Sequence, residues 1–253
     1  MRPAQAARST ESILPAFQAS RRRLTLALLL AFLVQPGTTV SHAQVAPSPA
    51  SRFVVLLDPA HGGDDSGARL AGSSGDAIAE KDFTLALSVR LRSLLEARGI
   101  QVVTTRESDA TLSSDQRAQI ANHAVAQACL VLHGAMSGAG VHLFLSSLQP
   151  SQPARFVPWQ AAQASWVTRS VALAGVLNSA LLHAGSTVTL GRTALTTVDR
   201  MACPAVAIEV APDSAAKKSS GNTSGLDDAA YQARIAEALA AGLLEWREEG
   251  KQP

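Results

Sequence analysis

The chain has 253 residues, 47% hydrophobic and 17% charged, which is a globular composition rather than a disordered one. Its net charge of +2 is misleading, because five arginines against Glu11 put the first 43 residues at +4 and leave the remainder at −2. A folded part without basic excess excludes an electrostatic nucleic-acid footprint, and 4% aromatics predict an aliphatic core.

The front end reads as an export signal over residues 1–43. Arg21-Arg22-Arg23 is the positive flank, Leu24 to Val34 the apolar run, and Ser41-His42-Ala43 the small-residue cleavage site. The run is about half of the roughly 20 residues needed to span a bilayer, so no membrane span is expected in the mature chain. Ser20-Arg21-Arg22-Arg23-Leu24 resembles a twin-arginine signal, so the twin-arginine and general secretory routes are both open. Either delivers the protein to the periplasm or the exterior. Residues 44–51, with two prolines and two serines, are expected as a linker to a single domain over 52–248.

Arg52 to Leu57 predicts a first strand, followed by a polar, glycine-bearing loop over 64–79. Glu80-Lys81-Asp82 opens a helix in which Phe83, Leu87, Leu91, Leu94 and Leu95 recur at helical spacing. Ile100 to Thr105 is the second strand. Ser113 or Ser114 caps a helix through Ala126. Strands follow at Ala128 to Leu132 and Gly140 to Leu145. A long helix is expected from Gln160 to His183, then loop with a short strand over 185–197. Pro204 to Val210 is a last buried strand, and Asp227 or Asp228 caps a closing helix to Trp246. Strands alternating with such helices predict an α/β fold: a three-layer domain with a largely parallel twisted sheet flanked by helices. An exported chain could pair Cys129 with Cys203. Both sit in or beside apolar strand-like runs, where buried free thiols are the expectation.

Ligands in such sheets gather at strand carboxyl ends. His61 and His133 each end an apolar strand and are released into a glycine turn, and Glu209 sits near the end of the last strand. Two imidazoles and a carboxylate make a catalytic zinc set with the fourth position left to water. Glu80 is the candidate acid, at a helix start where the dipole favours it. A carboxylate such as Glu209 at the end of an apolar strand is costly to bury unless paired or functional. Asp58 is expected either to orient a ligand or to cap the turn.

Leu57-Asp58-Pro59-Ala60-His61-Gly62-Gly63-Asp64-Asp65-Ser66-Gly67-Ala68 resembles the opening motif of the zinc-dependent N-acetylmuramoyl-L-alanine amidases of the amidase-3 family. Glu80-Lys81-Asp82, Thr104-Thr105-Arg106 before Asp109, Gln116-Arg117 with Ile120-Ala121-Asn122, Leu132-His133, and Pro204-Ala205-Val206 through Glu209-Val210 match its further blocks in order. Tyr231, Ile235 and Ala236 match its closing helix. The resemblance implies that His61, Glu80 and His133 bind Zn²⁺ and that Glu209 is the general base. The implied reaction is hydrolysis of the lactyl-L-alanine amide of peptidoglycan. Arg106 and Arg117 would meet the anionic peptide stem or, as the favoured alternative, make structural ion pairs. The chain departs from the family pattern at Ala60, at Gly134-Ala135 and at Val210-Ala211-Pro212. Two other readings therefore stand beside the amidase: a zinc peptidase acting within the stem, and a catalytically impaired wall-binding or regulatory homologue. No wall-binding module is visible, so the domain is expected to find peptidoglycan alone or through a protein activator.

Overall fold

Three layers follow from how the apolar residues are distributed in the computed structural model, which describes residues 52–151, 157–212 and 225–250. The expected signal and linker over 1–51 lie outside the described residues. The strands are β1 (Val54–Pro59), β2 (Arg69–Ala71), β3 (Ala77–Ala79), β4 (Gln101–Thr104), β5 (Ala128–Gly134), β6 (Val141–Ser146), β7 (Val188–Thr193) and β8 (Ala205–Val210). The helices are α1 (Glu80–Glu96), α2 (Ser114–Ala124), α3 (Val167–His183), α4 (Thr196–Asp199) and α5 (Ala229–Glu249), with a 3-10 helix at Trp159–Ser165.

Six strands form one sheet in the order β4-β1-β5-β8-β6-β7. The strands β4, β1, β5 and β8 run parallel, and β6 and β7 run the other way, joined at the antiparallel β8–β6 pair. The parallel strands are buried on both faces, hence their continuous apolar runs. Val55, Leu57, Leu130, Leu132, Val206 and Ile208 point into a core with α1, α3 and α5. Val54, Leu56, Cys129, Val131, Ala205 and Ala207 point the other way, under α2 and α4. The α/β expectation holds, with two reversed strands at one edge.

Four local expectations are corrected. The loop over 64–79 contains the hairpin β2–β3, in register from Arg69↔Ala79 to Ala71↔Ala77. Each strand is too short to show alternation, and the Gly-Ser-Ser-Gly-Asp stretch over 72–76 makes the turn. The helix from Gln160 is broken: 3-10 turns end at Trp166 before α3 begins. Within the broken segment Ala161 is non-helical, and buried Gln163 donates to the carbonyls of Met201 and Cys203 and accepts from Ser170. The α2 helix starts with the expected cap, Ser113 with Gln116, but stops at Ala124, where Val125 takes φ +49. Finally, Cys129 and Cys203 are bonded as a disulfide, with Cα atoms 6.2 Å apart, rather than being free thiols. Cys129 registers with Ala205, so Cys203 ends on the neighbouring strand's approach, on the same face.

Candidate metal centre

The site begins where β1 runs out. Buried Asp58 accepts from Thr105 Oγ1 and, at 2.6 Å, from Arg117 Nη1. Arg117 also donates to the carbonyls of Pro59 (2.9 Å) and His61 (2.6 Å). Arg106 donates to the carbonyls of Pro59 (2.9 Å), Ala60 (3.1 Å) and Lys81 (2.8 Å). Both guanidiniums are buried, so they are not cations awaiting substrate. Arg117 makes the favoured structural ion pair with Asp58, while Arg106 spends its donors on carbonyls. Together they clamp a turn in which His61 takes φ +62, a left-handed conformation that a non-glycine residue holds only under constraint.

Glu80 arrives from the other direction. The β2–β3 hairpin returns the chain to the first turn of α1, where Glu80 N–H donates to Ala68 O at 2.9 Å. Its carboxylate is buried and touches both imidazoles, Oε2 at 3.1 Å from His61 Nε2 and Oε1 at 2.9 Å from His133 Nδ1. Backbone N–H groups of Ala68 and Gly134 donate to it at 2.9 and 3.1 Å. Burial alone would raise the Glu80 pKa, but the hydrogen bonds from His133, His61 and the two backbone amides outweigh it and hold the carboxyl well below the usual range. The hydrogen bond to Glu80 raises His61 against the opposing effect of burial. Gly67 keeps this corner open: at φ +64, a Cβ there would come within 2.7 Å of both Glu80 Oε2 and the His61 ring.

His61, Glu80 and His133 each offer one ligand atom, and those atoms lie within 4.8 Å of one another. The two rings meet edge to face with centroids 5.4 Å apart. A divalent ion fits this donor set, because two ring nitrogens and an oxygen of the buried Glu80 carboxylate converge. Imidazole-dominated donors favour Zn²⁺ over oxygen-seeking ions. Asp58 touches neither imidazole; Asp65 does, its Oδ2 lying 2.8 Å from His61 Nδ1, where it would orient the ring as a ligand. The sequence signal for Asp65 was its place four residues beyond His61. Asp58 and Arg117 instead form part of a polar cleft with His61, His133 and Thr197.

Glu209 lies on β8 in direct register with His133 of β5, so both side chains leave the same face of the sheet. It is half-buried and its carboxylate has no hydrogen-bond or ion-pair partner among the described residues. The strand's far end is anchored nearby, where Tyr231 of α5 donates its hydroxyl to Ala211 O at 2.6 Å.

A strained histidine turn, a helix-start glutamate and a strand-end histidine come together at the carboxyl ends of the parallel strands and make a candidate metal centre. The sequence model of the amidase-3 family, described as N-acetylmuramoyl-L-alanine amidase, matches residues 55–245, and the chain belongs to that family. Among curated relatives, the germination-specific N-acetylmuramoyl-L-alanine amidase of Bacillus subtilis is 34% identical over 99 residues, covering 34% of this chain and 40% of its own length. The sporulation-specific N-acetylmuramoyl-L-alanine amidase of the same organism is 33% identical, covering 46% of this chain and 44% of its own length. The chain thus spans less than half of these curated relatives. Among solved structures, the catalytic domain of CwlV, an N-acetylmuramoyl-L-alanine amidase of Bacillus (Paenibacillus) polymyxa var. colistinus, matches at 25% identity with a TM-score of 0.57, over 78% of this chain and 98% of its own. The CwlD amidase of Clostridioides difficile, solved in complex with the GerS lipoprotein, shares the fold at 22% identity and a TM-score of 0.58, over 78% of this chain and all of its own.

Proposed function

We propose that the protein is a zinc-dependent N-acetylmuramoyl-L-alanine amidase that cuts the lactyl-L-alanine amide of peptidoglycan. One observation carries the reading: three ligand-bearing side chains converge beside a half-buried, unpaired carboxylate on the adjacent strand. His61, Glu80 and His133 would hold the ion, which when bound supplies Lewis acidity to the scissile carbonyl and to water. Asp65 fixes the ring of His61, so that Nε2 is the nitrogen turned toward Glu80 and the ligand cluster. Glu209 takes a proton from the attacking water and delivers it to the leaving nitrogen. With no partner among the described residues, it is free to do both.

Residues 1–43 are proposed as a cleaved export signal and 44–51 as a linker, placing the domain outside the cytoplasm. The Cys129–Cys203 bond supports this, since such bonds persist in oxidising compartments. Among the described residues no helix is long and apolar enough to cross a membrane. A protein activator is kept as a partner, in keeping with the lipoprotein complex formed by the C. difficile CwlD amidase.

The test is Glu209→Ala acting on cell-wall sacculi. The variant is expected to retain the metal and release no stem peptides. Continued release would remove Glu209 from the mechanism. Product analysis settles the bond: new amino groups on L-alanine support the amidase, whereas new carboxylates within the stem would make it a peptidase.

A further inference from the structure

The register that sets Glu209 beside His133 continues past β8. Glu209 pairs with His142 of β6, and His142 pairs with Thr189 of β7. Directly registered residues share a face, so His133, Glu209, His142 and Thr189 form one polar row across four adjacent strands. The row two residues deeper on three of those strands is apolar throughout: Val131, Ala207 and Phe144. The polar row therefore lies at the end of the sheet where the candidate metal ligands sit, and polarity does not continue along β6.

His142 is held for use. Its Nδ1 lies 2.6 Å from Thr189 Oγ1, which fixes the ring, while Nε2 has no hydrogen-bond partner among the described residues. The β5–β6 loop approaches the ring at Gly138, where φ is +98 and a Cβ would come within 3.1 Å of Nε2. The imidazole is half-buried and Thr189 is exposed. Neither has a part in the chemistry assigned to His61, Glu80, His133 and Glu209.

Proton delivery fixes the direction in which substrate runs. Glu209 has to reach the leaving nitrogen, so the group attached to that nitrogen departs along Glu209's flank. One side of β8 is taken by β5 and the metal ligands. The other side is β6 and β7. We infer that His142 and Thr189 form the leaving-group subsite and grip the acidic peptide stem beyond its first residue, through the stem's amides and carboxylates. The inference rests on the amidase reading and adds to it the direction of the stem and the residues that hold it.

Two substrates separate binding of the stem from upkeep of the site: N-acetylmuramoyl-L-alanine, which ends at the first residue, and an N-acetylmuramoyl peptide carrying a longer acidic stem. His142→Ala is expected to lower kcat/KM about tenfold on the long substrate, the loss of one or two hydrogen bonds, and less than about twofold on the short one. Thr189→Val should show the same selectivity at smaller size, and His142→Gln, which keeps a donor, should recover part of the loss. Calorimetric binding of the free acidic stem peptide to the metal-loaded protein gives a readout without turnover and should weaken about tenfold in His142→Ala at unchanged metal content. Equal losses on both substrates, or unchanged stem-peptide binding, would overturn the subsite. A wild-type protein that releases nothing from sacculi would instead overturn the amidase reading beneath it.

Discussion

The two flanks of β5 are built differently. On the β1 side, Asp58, Arg106 and Arg117 are buried and bind one another's backbone neighbourhood through many hydrogen bonds, fixing the turn at His61. On the β8–β6–β7 side, Glu209 has no partner among the described residues and His142 keeps one ring nitrogen free. The contrast teaches a division of labour. The flank proposed to hold the ion is over-determined, as a metal site requires, because ligand atoms must stay within a few tenths of an ångström of their working positions. The flank proposed to move protons and meet substrate leaves Glu209 and one ring nitrogen of His142 without partners among the described residues.

Breaking the fixed flank should have the largest effect. Arg117→Ala leaves Asp58 buried with only the Thr105 hydroxyl and no counter-ion, and is expected to cost about 3–5 kcal/mol of unfolding free energy together with the metal. A denaturant midpoint unchanged from wild type would show that the clamp does not hold the site. On the open flank, Glu209→Gln should leave the unfolding free energy within about 0.5 kcal/mol of wild type yet reduce turnover by about 10²–10⁴-fold. A large loss of stability there would erase the contrast between the flanks.

The disulfide lies beneath both flanks, under α2 and α4. Replacing both Cys129 and Cys203 with alanine should cost about 2–4 kcal/mol, the range for removing a cross-link that closes a long loop. Melting curves of wild type with and without reductant should differ in the same direction, and coincident curves would contradict the bond.

The smallest predicted effect is on pH dependence and sharpens the comparison in the metal-free protein. The Glu80 carboxyl is held below its ordinary 4.5, so its contribution is present above that value and is lost as acid brings the pH down toward the folded pKa. His61 is held above 6.5, so its contribution is complete below 6.5 and disappears as the pH rises through the raised value. Chelated protein should therefore melt highest between about 4.5 and 6.5. Metal should abolish the decline at higher pH, because ligating imidazoles must be neutral. Chelated protein that is equally stable at both ends of the neutral range would show that the Glu80–His61 contact contributes nothing.

Much of this was legible in the residues. Continuous apolar runs ending in His61 and His133, a helix starting at Glu80 and an acid at the end of the last strand all express a local pattern that topology then gathers at one sheet edge. What stayed hidden depends on lateral neighbours. The β2–β3 hairpin has strands too short for alternation to show. The Cys129–Cys203 bond needs the β5–β8 register, which brings together residues 74 positions apart. Residue type favours structural ion pairs for Arg106 and Arg117, but only the fold shows that the carbonyls of Pro59, Ala60 and His61 are what they clamp. Asp65 stood in the motif, but its reach to His61 Nδ1 depends on the strained turn. The row from Glu209 to His142 and Thr189 crosses three strands that are far apart in the chain.

The central claim is that His61, Glu80 and His133 share one divalent ion on which hydrolysis depends. Metal analysis of the purified protein, paired with digestion of sacculi before and after chelation, tests it most directly. The account predicts one zinc per chain, loss of stem-peptide release on chelation, and recovery when zinc is returned. Undiminished release from chelated protein, or a full complement of zinc in His61→Ala, would contradict it.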